Sequence, residues 1–157
     1  MTEIVAYEQS FARGCADVLA SVPEWFGRPA TNAEYLRDLE RYPSWIAIAG
    51  GVPIGAITLT EPLPRSFEVH FLVVARAWHS RGVGSELLRF VERVAVRQGG
   101  RWLHVKTLGP SDPDADYART RMFYMKQGFA PLFESLTLWD YHTPALILVK
   151  TLAPATS

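Results

Sequence analysis

A mixed α/β (α+β) fold, with helices interleaved among the strands of one sheet, is predicted by three observations. Strand-like and helix-like periodicities alternate along the chain; two apolar strand-like runs flank a glycine pair; and a third apolar run leads into a glycine-bearing loop that opens an amphipathic helix. The chain has 157 residues, enough for one well-buried domain and too few for two ordinary ones. Residues 1–152 are therefore read as a single domain, and Ala153-Pro154-Ala155-Thr156-Ser157 as a flexible tail.

The elements follow in order. A short strand near Ile4 to Tyr7 leads into a helix from about Ser10 to Ser21. After Pro23-Glu24-Trp25-Phe26-Gly27, Thr31 reads as the cap of a second helix that runs through Leu39. The runs Ser44–Ala49 and Ile54–Thr60 flank Gly50-Gly51-Val52-Pro53, a hairpin signal. The strand Phe67 to Val74 ends in His79-Ser80-Arg81-Gly82-Val83-Gly84, and the following helix places Val83, Leu87, Leu88, Val91, Val94 and Ala95 on one face before Gly99-Gly100 stops it. Arg101–Thr107 reads as a strand, the polar stretch 109–116 as a loop, Tyr117–Gln127 as a helix, and Ala130–Trp139 and Ala145–Leu152 as a closing pair of strands.

Composition excludes several function classes. Lysine plus arginine and aspartate plus glutamate both number 16, so no global basic field marks nucleic acid or an anionic membrane as a partner. The N-terminus lacks the basic flank and apolar core of a signal peptide, and no apolar run is long enough to span a bilayer. Cys15 is the only cysteine, which rules out an internal disulfide and a cysteine-built zinc site. It reads as a small buried hydrophobe on the first helix, and the expected setting is a reducing cytoplasm.

A strand, a glycine loop and a helix in succession aim backbone N–H groups and the positive end of a helix dipole at one point, which suits a phosphate or pyrophosphate. Two common versions do not fit. A dinucleotide fold needs a third glycine, where this chain has Leu87, and an acid near the end of the next strand, where it has Trp102-Leu103-His104-Val105-Lys106. A phosphate-binding Walker loop needs Gly-Lys-Ser or Gly-Lys-Thr, which does not follow.

Downstream lies Tyr117-Ala118-Arg119-Thr120-Arg121-Met122-Phe123-Tyr124-Met125-Lys126-Gln127-Gly128-Phe129. Taken with Val74–Gly84, the Phe123-Tyr124 and Gly128-Phe129 pairs resemble the GNAT superfamily of N-acetyltransferases, over nearly the whole chain from about Thr2 to Lys150. The resemblance implies a mostly antiparallel central sheet flanked by helices, with a splayed strand pair at a cofactor cleft, and acetyl-CoA as co-substrate with no metal. It places Leu72, Val73 and Val74 along the pantetheine arm, and His79, Arg81, Gly82, Val83, Gly84 and Ser85 around the pyrophosphate. His79 stands where the family most often has glutamine or arginine, a mild departure because the wrap is mainly backbone N–H. Thr120, one turn before Tyr124, is taken as a further cofactor contact.

Under that resemblance Tyr124 is the general acid for the leaving thiolate. Glu68 and His70 alternate onto one face of their strand, about 7 Å apart; Glu68 is taken as the catalytic base, often acting through water in this family, with His70 as the rival. Pro23–Gly27 with Tyr35 falls where the family builds its acceptor wall. The run Asp112, Asp114, Asp116 lacks the glycine and glutamate of an EF-hand and reads as a solvated loop. The expected reaction is acetyl transfer to a primary amine of a small molecule or peptide by direct attack in a ternary complex. A non-catalytic acyl-CoA sensor and a transferase of longer acyl groups are the alternatives, and a homodimer is left open.

Overall fold

The computed structural model describes residues 2–154. Ala153 and Pro154 are exposed and outside any helix or strand, while residues 155–157 of the expected tail lie outside the described residues. The chain divides into two compact units, one formed by the residues up to Thr60 with Val69–Arg93, the other by Glu61–Glu68 with the residues from Val94 onward.

In the first unit, β1 (Glu3–Ala6) pairs antiparallel with β2 (Ser44–Ala49), Glu3 opposite Ile48 and Ala6 opposite Trp45. The expected hairpin joins β2 to β3 (Val52–Leu63). Gly50 and Gly51 have φ of 57° and 78°, the left-handed pair that a two-residue hairpin turn demands and that side chains disfavour. Ser44 and Thr58 lie opposite each other and bond hydroxyl to hydroxyl at 2.8 Å, so both buried polar groups are satisfied.

A 3-10 turn at Gln9–Phe11 precedes α1 (Ala12–Ala20), so the first helix is shorter than its sequence pattern. Cys15, Val18, Leu19 and Val22 recur at helical spacing and pack with Leu39, Ile46, Ala56, Phe71 and Val73 in one core. Each such fully buried aliphatic side chain stabilises the fold by about 1.5–3 kcal/mol. The second helix, α2 (Pro29–Arg41), starts two residues before Thr31, which is therefore inside the helix and does not cap it. Pro29 takes the first helical position, where its fixed φ suits the helix and its missing N–H costs nothing. β4 (Ser66–Val74) then leads towards α3 (Val83–Arg97), whose Val83, Leu87, Leu88, Val91, Val94 and Ala95 are all buried as the periodicity requires.

In the second unit, β5 (Trp102–Leu108) pairs antiparallel with β7 (Thr143–Thr151) in unbroken register from Trp102 opposite Thr151 to Leu108 opposite Ala145. β6 (Ala130–Asp140) pairs antiparallel with β7, with register shifts between Pro131 and Phe133 and between Ser135 and Asp140. The fourth helix, α4 (Ala115–Lys126), begins two residues earlier than its sequence pattern because Asp114 caps it. The Asp114 carboxylate accepts the N–H groups of Asp116 at 2.8 Å and Tyr117 at 3.1 Å. The strands follow the hydrogen-bonded order β1-β2-β3-β4-β5-β7-β6, the seven-stranded, mostly antiparallel sheet that the sequence implies. Among the described residues no helix is long and apolar enough to cross a membrane.

Candidate active site

The glycine loop is built in three steps. β4 alternates, burying Phe67, Val69, Phe71 and Val73 while Leu72 and Val74 are only half-buried. The Ala75 N–H donates to the Ile54 carbonyl at 2.8 Å, and a 3-10 turn follows at Arg76–Trp78. Ser80 and Gly82 then turn the chain at φ of 61° and 84°. The Gly82 carbonyl accepts the N–H of Glu86 at 3.0 Å, so Gly82 stands at the cap position. The amides of Val83 and Gly84 thus belong to the first turn, whose N–H groups have no acceptor within a helix. They carry the positive end of the α3 dipole, a geometry that fits a phosphate group.

Side chains brace this loop from behind. Arg76 donates its backbone N–H to the Ser21 hydroxyl at 3.2 Å and Nε–H to the Ser21 carbonyl at 3.0 Å, while its guanidinium pairs with Glu24. His79 Nε2 bonds the Val74 carbonyl at 2.8 Å, and its ring meets Trp25 edge-on at 5.7 Å. The Arg81 guanidinium lies 5.0 Å from the centre of the Trp78 ring, a cation–π contact.

The aromatic residues expected at the acceptor wall come together in the first unit. Tyr35 stacks on Phe71 at 4.7 Å, and Phe26 meets both rings edge-on at 5.6 Å. Burial pushes the Tyr35 hydroxyl above its usual range, and Asp38 and Glu34 add to the shift. His70 of β4 bonds Asp38 of α2 through Nε2 at 2.8 Å and lies against the Tyr42 ring.

In the second unit, Glu68 is 7% exposed and faces two side chains of β5, the Lys106 ammonium at 3.0 Å and the His104 ring at 3.3 Å. Glu68 and His70, though they alternate along one strand, engage different partners. Tyr124 is buried on α4, edge-on to Phe123 at 5.3 Å and Phe129 at 5.6 Å. Desolvation pushes its hydroxyl far above the usual tyrosine range, which keeps it protonated. Thr120 donates its hydroxyl to the Asp116 carbonyl one turn back, at 3.3 Å. Asp112 and Asp114 are used in loop and cap bonds and Asp116 pairs with Arg119, so the acidic run serves local structure. No group of three metal-ligating side chains occurs among the described residues.

A family model described as the acetyltransferase (GNAT) family matches residues 12–129, from α1 to the residue before β6. The chain belongs to the acetyltransferase (GNAT) family. Solved structures agree at the level of fold. A GNAT-family protein from Desulfovibrio desulfuricans superposes with a TM-score of 0.86 at 19% identity, over 98% of this chain and 100% of its own. An aminoglycoside 6'-N-acetyltransferase complexed with coenzyme A gives 0.77 at 17% identity, over 99% of each chain. The ribosomal-protein-S18-alanine N-acetyltransferase from Escherichia coli gives 0.78 at 14% identity, over 100% of this chain and 97% of its own. No match is found among curated proteins.

Within this GNAT chain the structure adds partners that the sequence reading did not name. Lys106 and His104 are two residues apart on β5, so strand alternation puts both on the face that meets Glu68. That period-two signal was present in the sequence. Asp38 lies 32 residues from His70 on a different element, and no local pattern announces the pair. Cys15, by contrast, is where its residue type suggests, buried in the α1 face with its thiol pushed up to about 11 by desolvation.

Proposed function

We propose that the two units act as one catalytic domain, an N-acetyltransferase that moves the acetyl group of acetyl-CoA to a primary amine of a small molecule or peptide. The observation that carries this reading is the turn from β4 into α3, where Gly82 precedes a helical first turn whose amides suit an anion, in a chain of the acetyltransferase family. Leu72, Val73 and Val74 offer backbone groups to the pantetheine arm. Arg81, Gly82, Val83, Gly84 and Ser85 wrap the pyrophosphate, with His79 bracing the loop and Thr120 as a further cofactor contact. CoA or acetyl-CoA in solved structures of the same fold supports that assignment.

The amine nitrogen attacks the thioester carbonyl directly; the C–N bond forms, the C–S bond breaks, and no acyl group rests on the protein. Tyr124 gives its phenolic proton to the sulfur, a role that fits a hydroxyl kept protonated by burial. Glu68 takes the proton of the amine through water. A second reading makes His70 the base, because its 2.8 Å bond to Asp38 is the arrangement that orients an imidazole for proton transfer. The lone, buried Cys15 is consistent with a cytoplasmic setting.

Release of CoA thiol, followed over polyamines, amino acids, aminoglycosides and peptides, tests the function. Turnover with at least one amine class is expected, and saturable acetyl-CoA binding without thiol release across all of them would favour a sensor instead. Between the two bases, the acidic limb of the pH–rate profile decides: it disappears in Glu68→Gln if Glu68 is the base, and in His70→Gln if His70 is.

A further inference from the structure

Glu68 carries a carboxyl at a position that its strand otherwise gives to apolar side chains: Phe67 and Val69, on either side, are buried, and so is Glu68. Withdrawal from water disfavours the charged form of a carboxyl, and a neutral carboxyl is a poor proton acceptor. A base in this place therefore needs a compensating charge.

β5 supplies one. Leu103, Val105 and Thr107 are buried on one face of that strand, while His104 and Lys106 alternate onto the other and meet Glu68. Lys106 Nζ lies 3.0 Å and His104 Nε2 3.3 Å from the same carboxylate oxygen, Oε2. The register with β7 sets Ile147 opposite Lys106 and Val149 opposite His104, and β7 carries no acid. Among the described residues, Glu68 is the carboxylate within ion-pair reach of Lys106. The two cross-strand groups differ in kind: an ammonium carries its charge through the neutral range, whereas an imidazole gains and loses its own there. Fold stability alone does not explain the pair, because a buried ion pair repays its desolvation poorly and apolar side chains of like volume often serve as well.

We propose that Lys106 is a positioning residue for the base, its ammonium holding Glu68 ionised and fixed on the face that the two strands share. The inference rests on the reading of Glu68 as the base and extends it by one residue. In the proton step a water gives a proton to the Glu68 carboxylate as its oxygen takes one from the amine, and Lys106 keeps all of its own. With a cation 3.0 Å away, the carboxylate stays a proton acceptor at pH values where an isolated buried carboxyl would be neutral. His104 adds to this only when protonated, and His70, two residues along β4, is engaged with Asp38.

Steady-state kinetics of the full chain, with acetyl-CoA and an amine that it acetylates, test the role. Lys106→Met keeps the stem and removes the charge, and Lys106→Gln does the same job if the methionine form does not fold. The acidic limb of the kcat profile should move up by about one pH unit or more, a roughly tenfold loss of kcat at any pH on that limb, with KM for acetyl-CoA unchanged. Lys106→Arg should bring the limb back. In a Glu68→Gln background, Lys106→Met should cost nothing further, as expected of a residue that acts through another. Carbon-13 NMR of the glutamate carboxyls gives a readout that needs no acceptor: the signal lost in Glu68→Gln should titrate at higher pH in Lys106→Met than in the wild type. A limb that stays at the wild-type pH in the folded, uncharged variants, or a carboxyl titration that does not move, would overturn the role of Lys106 even where Glu68→Gln removes the limb. A limb that survives in Glu68→Gln removes the base itself, and the inference with it.

Discussion

At the scale of single residues, two buried groups carry opposite expectations for activity. Tyr124→Phe keeps the ring that packs against Phe123 and Phe129 and removes only the hydroxyl. The turnover number should fall on the order of 10²-fold or more at saturating substrate, with acetyl-CoA binding retained in calorimetry. Cys15 has no part in a direct transfer, so Cys15→Ala should leave turnover intact in steady-state assays. Its thiol does bear on stability. Burial raises it from 9.0 to about 11, so the folded chain holds this proton more tightly than the unfolded chain. That contribution is fully present below the unfolded value and is lost as pH rises through the folded one. Urea unfolding at about pH 8 and about pH 11 should show the wild type losing on the order of 2 kcal/mol more than Cys15→Ala between the two.

Elements rather than residues decide the loop and its neighbours. At Gly82 a side chain would meet no atom within 4 Å, so Gly82→Ala tests the φ of 84° alone. A strain of about 1–2 kcal/mol should weaken acetyl-CoA binding roughly tenfold if the turn must hold its shape to bind, as read by calorimetry. Asp114→Ala removes the α4 cap and should cost about 1 kcal/mol in thermal or urea unfolding. Much of this was legible beforehand, because the hairpin at Gly50-Gly51, the alternation of β4 and the stripe on α3 are written in local spacing. The α2 start lies three residues before the one a Thr31 cap implies, with Pro29 at its first position and no side-chain cap, and the α4 start lies two residues early, where the Asp114 carboxylate takes the orphan N–H groups. The partners of Glu68 and His70 were not read out at all. They come from β5 and α2, and pairings over such sequence distances are settled by tertiary packing.

At the scale of the whole molecule, the family match, the β4-to-α3 turn and the fold of CoA-bound neighbours converge on acyl transfer. In β6, which is a strand as its sequence pattern implies, Leu136, Leu138 and Trp139 have the composition of a buried strand, yet they are exposed. Hydrophobicity reports a preference for burial and does not say whether the covering surface belongs to the same chain. Acetyl transfer to an amine is tested most directly by mass spectrometry of the acceptor together with CoA thiol release. With acetyl-CoA saturating, one acceptor should gain one acetyl group per thiol released, and Tyr124→Phe at equal cofactor occupancy should slow both together. Saturation with acetyl-CoA while every amine offered stays unmodified, or an acetyl group retained covalently on the protein during turnover, would contradict it.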